Sequence, residues 1–213
     1  MTMVRLKSPA KLDMNIGEAM FSQRAIRKLK PDPISDEDIK TILDAASKAP
    51  NGGNQQPGRF LVIKDRNKIK KLGELYHEAW WAKRWDEHQW TKREDIPKED
   101  KTHQASMQLA DEMKNAPAVI LVFSTVPNRA NSIFPSVQNL LLAARVLSIG
   151  STLTSLHAKV MDRVYDTFNI PKNMEFHCCI PLGYPKGRFG PTQRKPTAET
   201  TYYNEWNSPP PWA

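Results

Sequence analysis

Apolar residues along this chain recur in two rhythms, and the alternation between them predicts its elements. Ile39, Ile42, Leu43, Ala46 and Ala49 fall three or four apart and predict a helix over 36–49. Ser35 stands at its N-cap, and Asp36, Glu37 and Asp38 fill the first turn, where the helix dipole favours anions. Pro50-Asn51-Gly52-Gly53-Asn54 ends it in a loop of turn formers. Upstream, residues 12–30 open with a short amphipathic helix, with Ile16, Ala19 and Met20 on one face, before a basic run stopped by Pro31 and Pro33. Strands are predicted at Arg59–Lys64, at the unbroken apolar run Ala118–Ser124, and at Glu175–Gly183. Residues 134–148, with Val137, Leu140, Leu141, Leu142, Ala143, Ala144 and Leu147, are apolar nearly all round and predict a central helix, with Gly150 placed to cap it. A surface helix over 66–79, a short strand or loop over 152–156 and a helix over 159–168 complete the pattern. Helices and strands mixed in this way argue for an α+β fold.

Two stretches escape the rhythm. Residues 80–105 set Trp80, Trp81, Trp85 and Trp90 among many charges, as a lid or interface arm would, or as a surface helix covering the core with Trp would. The C-terminal extension, residues 186–213, is proline-rich and irregular, yet it keeps Trp206 and Trp212, which a disordered tail would not need; another subunit is a fitting surface for it. No internal repeat or low-complexity tract interrupts the chain, and residues 1–213 read as a single domain. Only 39% of residues are hydrophobic, a low share for a compact monomer, so either part of the chain is irregular or a partner completes the core.

Composition narrows the classes. No run of 18 apolar residues exists, so no membrane-spanning helix is expected. Met1–Lys11 has basic residues but no apolar segment after them, so no secretory signal is expected either. The two cysteines, Cys178 and Cys179, are adjacent in a strand pattern and read as inert core thiols in a reducing cytoplasm. The net charge of +8 suggests an anionic partner, either nucleic acid or a phosphorylated cofactor with an acidic reductant. Much of the excess is scattered, as from Lys64 to Lys71, and suits a solvated face.

Common phosphate-binding motifs fail: there is no G-x-x-x-x-G-K-[ST] loop and no G-x-G-x-x-G after a strand. If a phosphate is bound, arginines must hold it, through a planar and permanently charged fork. His77, His88, His103, His157 and His177 show no close ligand pairing on one face, so no metal is expected. No nucleophile elbow or Cys–His signature is present.

Three separated segments, in order, carry a resemblance. Arg24-Ala25-Ile26-Arg27 leads through a helix to Pro50-Asn51-Gly52-Gly53-Asn54-Gln55-Gln56-Pro57-Gly58-Arg59-Phe60; Ile133–Arg145 is followed by Gly150-Ser151-Thr152-Leu153-Thr154; and Pro181-Leu182-Gly183-Tyr184-Pro185 precedes Arg188 and Arg194-Lys195-Pro196. Together they resemble the nitroreductase family over most of residues 16–206. The resemblance implies a three-layer sandwich, with a mostly antiparallel sheet flanked by helices and a C-terminal extension exchanged in a homodimer. It implies FMN bound non-covalently between subunits, with NAD(P)H as reductant and a ping-pong cycle through one site. On it, Arg24, Ala25 and Arg27 match the basic element at the flavin phosphate and ring edge. Pro50, Asn51, Gly52 and Asn54, with Gln56, match the loop against the ring; Leu153, Thr154 and Ser155 match the segment near its reactive edge; Arg194 matches a further phosphate contact. No acid–base residue is demanded, because the flavin carries the chemistry. Three positions depart from the pattern: Asn51 stands where Ser is usual, Gly58 where Trp is usual, and Ser148 where Gly is common.

The implied acceptor is an electron-poor small molecule such as a nitroaromatic or a quinone. Dehalogenation or reduction of activated double bonds is an alternative on the same scaffold. A non-enzymatic nucleic-acid binder is the remote rival: no binding motif is present and the basic residues gather into no stripe.

Overall fold

The computed structural model describes residues 11–213, so the expectation about a targeting segment at the N-terminus lies outside the described residues but for Lys11. Four strands form one antiparallel sheet in the order β1 (Gly58–Ile63), β2 (Ala118–Ser124), β4 (Glu175–Gly183), β3 (Gly150–Ser151). Ladder pairs run from Gly58 opposite Ser124 to Ile63 opposite Val119, and from Ala118 opposite Leu182 to Ser124 opposite Glu175, with an irregularity between Val122 and Phe123.

The sheet is covered on both faces, which is why β2 reads as an unbroken apolar run. Val119, Leu121, Phe123 and Cys179 point into one core, packed by α3 (Arg66–His88), α4 (Lys101–Glu112) and α6 (Ala158–Thr167). Ala118, Ile120, Val122, Cys178 and Ile180 point into the other, packed by α2 (Asp36–Ser47) and α5 (Ala130–Val146). The adjacent cysteines therefore face opposite cores. Burial pushes the Cys178 thiol up to about 12 and raises that of Cys179 further, as suits unreactive thiols. Among the described residues no helix is long and apolar enough to cross a membrane.

The caps follow the sequence. The Ser35 side chain accepts from Asp38 N–H at 3.0 Å and starts α2. α5 is buried along most of its length, as its composition predicts. Its end corrects one expectation. Gly150 does not cap it; the left-handed position is Ser148, at φ 59°, while Ile149 N–H donates to Ala144 O at 2.8 Å in a Schellman closure.

α3 is longer than the predicted 66–79, because Trp80 and Arg84 continue its buried stripe. Gly73 lies inside it, where a Cβ would come within 2.5 Å of Lys114 N, so the helix and the turn after α4 touch backbone to backbone. The odd segment 80–105 thus divides into the end of α3, a short irregular stretch and the start of α4. Trp80 joins the core, and Trp81 and Trp90 lie against it.

The short helix α1 (Ile16–Ser22) forms where expected, but of its apolar stripe only Ala19 is buried; Ile16, Met20 and Phe21 are exposed. In the tail, Tyr202 packs on Trp206 at 4.5 Å between ring centres, and Trp206 and Trp212 stay exposed.

Candidate functional site

The predicted residues gather into two groups. In the first, the basic element runs in extended form beside β3 and bridges to it at a single residue pair. Ile26 and Leu29 are buried and anchor it; Ala25 lies opposite Ser151, and Ile26 N–H donates to Ser151 O at 2.9 Å. Gly150 makes room for this: a Cβ there would sit 2.7 Å from Ile26 Cγ2. Arg24 and Arg27 flank the anchored Ile26, and among the described residues neither guanidinium has a carboxylate within 4.0 Å. Beyond β3, Leu153 and Ser155 are exposed, while Thr154 exchanges both backbone hydrogen bonds with Cys179, at 2.9 and 2.8 Å.

Tyr76 on α3 places its hydroxyl 2.8 Å from Thr154 Oγ1. Burial pushes this phenol up to about 12, against the opposing effects of the Thr154 bond and the charges of Arg27 and Arg84. It stays neutral near pH 7 and holds the threonine hydroxyl in one orientation. Tyr76 has no signature in the sequence, where it reads as one more core position of α3. Arg194 is exposed in the tail, with its guanidinium on Gln193 O at 2.7 Å. The tail passes this group, since Thr192 N–H donates to Phe21 O at 3.3 Å.

The second group is the loop after α2. Gly52 N–H donates to Ser132 Oγ at 3.1 Å, and Gln56 N–H donates to Asn51 Oδ1 at 2.8 Å. That second bond shows what Asn does in place of Ser: its longer side chain spans the loop and closes it. Pro50, Gly52, Asn54 and Gln56 are exposed. Beside the loop lies a cleft of about 290 Å³, floored by Ala46, Ala49, Phe60 and Ser136, and Gly58 is on its wall. A Cβ at Gly58 would meet Ile133 at 3.6 Å and Phe60 at 3.8 Å, both ordinary contacts, so the backbone there does not itself demand glycine.

The two groups are anchored at opposite ends of α5. The loop is tied to Ser132, near the start of α5. The basic element is tied to Ser151, just past its end, where Arg145 also holds Ser22 Oγ at 2.8 Å and stacks over Phe189 at 4.3 Å. From Ser132 to Val146, a helix rising about 1.5 Å per residue separates them by about 20 Å.

Elsewhere, His177 is held by Ser124 Oγ at 2.8 Å, and burial lowers its pKa against the opposing charge of Glu175. The expected lack of pairing among the histidines is corrected for one pair: α3 and α4 bring the rings of His88 and His103 within 5.3 Å.

Comparison with known proteins gives a consistent picture. The sequence profile described as "Nitroreductase family" matches residues 21–184. An Archaeoglobus fulgidus protein with the provisional name NADH dehydrogenase/NAD(P)H nitroreductase is 30% identical over 176 residues, 78% of this chain and 83% of the relative. Iodotyrosine deiodinase of Thermotoga neapolitana is 27% identical over 176 residues, 76% of this chain and 84% of the relative. Among solved structures, an oxidized iodotyrosine deiodinase bound to FMN and 3-iodo-L-tyrosine shares the fold with TM-score 0.72 at 22% identity, covering 91% of this chain and all (100%) of that one. A nitroreductase with bound FMN from Desulfitobacterium hafniense shares it with TM-score 0.65 at 20% identity, covering 89% and 99%.

Proposed function

The chain belongs to the nitroreductase family, and from that premise we propose that it binds FMN and passes electrons from NAD(P)H to an electron-poor small molecule. The observation that carries the reading is the backbone pairing of Ala25 and Ile26 with Ser151, which brings the segment holding Arg24 and Arg27, neither with an acidic partner among the described residues, to the end of β3 just before Leu153–Ser155. A guanidinium with no carboxylate partner keeps its planar fork of donors open for a phosphate, and here two such groups stand three residues apart on one short segment.

In this reading Arg24, Arg27 and Arg194 hold the phosphate and the polar edge of the ring, and Leu153, Thr154 and Ser155 line its reactive edge. Bound FMN would supply the redox chemistry, accepting a hydride equivalent from reduced nicotinamide and releasing electrons to the acceptor in a separate half-reaction. The arginines stabilise negative charge that builds at the site during reduction. Tyr76 fixes the Thr154 hydroxyl, and the main chain of 153–155 stays in place because Thr154 is laced to Cys179.

A homodimer completes the site in this proposal. Pro50, Asn51, Gly52, Asn54 and Gln56 lie about 20 Å from the arginines along α5 and would reach the ring from a second copy. The exposed Ile16, Met20 and Phe21 of α1 and the exposed Trp206 and Trp212 would cover that junction. A reductive dehalogenase is the second reading. It is favoured by the sequence relationship to the Thermotoga neapolitana iodotyrosine deiodinase.

The test is direct. Purified protein should be yellow and release FMN on denaturation. Turnover with NADH and NADPH against a panel of nitroaromatic, quinone and iodotyrosine acceptors then separates the two readings. A colourless protein that takes up no added FMN overturns both.

A further inference from the structure

The end of α3 and the start of α4 hold a second cluster, independent of the flavin reading. Glu87, His88 and His103 each offer a ligand atom, and these atoms all lie within 4.8 Å of one another. We propose that Glu87, His88 and His103 form a binding site for a divalent transition-metal ion of the zinc type, which clamps α3 to α4.

The surroundings are those a histidine ligand set needs. Asp100, the N-cap of α4, takes His103 Nδ1 at 2.5 Å, which leaves Nε2 as the donor atom and fixes the ring. Trp90 stacks on His88 at 4.2 Å between ring centres and meets His103 edge-on at 5.2 Å, so both imidazoles sit against one rigid aromatic wall. Glu87 Oε2 stands 3.8 Å from His88 Nε2 and is held in place by Arg84 at 2.7 Å, while Oε1 lies 3.9 Å from Lys83, so an ion would share Oε2 with Arg84 or take Oε1 after a turn of the carboxylate. His88 ends a 23-residue helix, whose negative dipole end favours a cation.

Ligand atoms around zinc stand about 3.3 Å apart, given metal–ligand bonds of about 2.0–2.2 Å. Side-chain rotations of roughly an ångström at the half-exposed Glu87 and His88 close the present spacing. Two histidines and one carboxylate leave a position for water, the composition expected of zinc or of neighbouring divalent ions. Arg84 and Lys83 offset the charges of Glu87 and Asp100, so the affinity falls below that of a closed thiolate site. The ion would bridge Gln89–Asp100, the irregular stretch between the two helices, and stabilise it by closing that loop.

The test titrates the full untagged chain with Zn²⁺ by calorimetry, and with Co²⁺ while following tryptophan emission. One ion should bind per chain, and Co²⁺ should quench part of the emission through Trp90. His103→Ala and His88→Ala should abolish binding. Asp100→Asn, which keeps a helix cap, should weaken it by about tenfold or more. Trp90→Phe should remove the quenching but keep the heat. His157→Ala, at a histidine paired with Asp86 at 2.9 Å outside the cluster, should change nothing. The proposal is overturned if neither ion binds, or if Zn²⁺ binds His88→Ala, His103→Ala and Asp100→Asn as tightly as the parent.

Discussion

Gly150→Ala tests the joint on which the proposed phosphate site rests. A Cβ at this position would lie 2.7 Å from Ile26 Cγ2, 2.9 Å from Ile26 Cβ and 3.1 Å from Gly183 O. The Gly183 oxygen belongs to the ladder opposite Gly150 and cannot yield, so Ile26 must retreat by about 0.7–1 Å to reach ordinary contact. Overpacking of this size costs about 1–3 kcal/mol. Retreat also stretches the 2.9 Å bond from Ile26 N–H to Ser151 O, worth about 1 kcal/mol. Together these come to about 2–4 kcal/mol, and a chain of this size loses about 2–4 °C of Tm per kcal/mol, so calorimetry should show a fall of about 4–16 °C. Arg24 and Arg27 move with Ile26. Losing about 1.4 kcal/mol of phosphate contact weakens FMN binding about tenfold, readable by flavin fluorescence. Gly187→Ala is the control, since a Cβ there meets nothing within 4 Å. Unchanged Tm and unchanged flavin affinity in Gly150→Ala would refute the close approach. A lowered Tm with intact flavin affinity would refute the assignment of Arg24 and Arg27 to the phosphate while leaving the packing correct.

Arg27→Ala should weaken FMN binding by about 10–100-fold, at about 1.5–3 kcal/mol per charge-assisted contact, with little change in Tm; equal affinities for the two proteins by equilibrium dialysis would count against the site. Ser148→Gly should stabilise the chain by about 0.5–1 kcal/mol, because it relieves a non-glycine residue at φ 59° at the cost of added freedom in the unfolded chain, and a Tm that fails to rise would contradict it. Burial lowers the folded-state pKa of His177 below 6.5, so below that pH the unfolded chain binds the proton first. Stability should therefore fall as pH drops from 6.5 toward the folded-state value and then level off. In urea titrations His177→Gln should flatten that slope, and an unaltered slope would exclude His177 as its source.

Legibility in the sequence followed burial rather than element length. β2 and β4 could be read to the residue, because both faces of the sheet are covered and every position of β2 is apolar or small. α3 could be read only to its middle. Its buried stripe continues through Trp80 to Arg84, and an arginine in the last core-facing place does not register as hydrophobic. α4 went unread because its core contacts, Met107, Leu109 and Ala110, stand in a helix where eight of twelve residues are polar or charged. The arginines of the basic element were legible as a motif. Tyr76 was not, since nothing in a helical stripe tells a hydroxyl with a partner at 2.8 Å from an ordinary core ring. The pairing of His88 with His103 depends on the turn of chain between two helices, which spacing alone does not supply.

A harder gap lies in what a helical stripe can mean. The spacing of Ile16, Ala19 and Met20 says that a face is suited to being covered, but not by what, and in this chain Ile16 and Met20 remain open. Exposed apolar side chains stand near both ends of α5: Phe21 by the basic element, and Phe134 by the loop that Ser132 holds. In the proposed homodimer, a two-fold axis passing beside the middle of α5, perpendicular to it, would set the beginning of one copy's helix beside the end of the other's. Both apolar patches would then be buried in a single operation, and each set of arginines would receive a partner's Asn51 loop. In the proposed homodimer the same rotation would make two equivalent sites, each drawing on both chains. On this argument a dilution series that separates the copies should release flavin and expose Phe21 together, with one midpoint, because a single interface serves both.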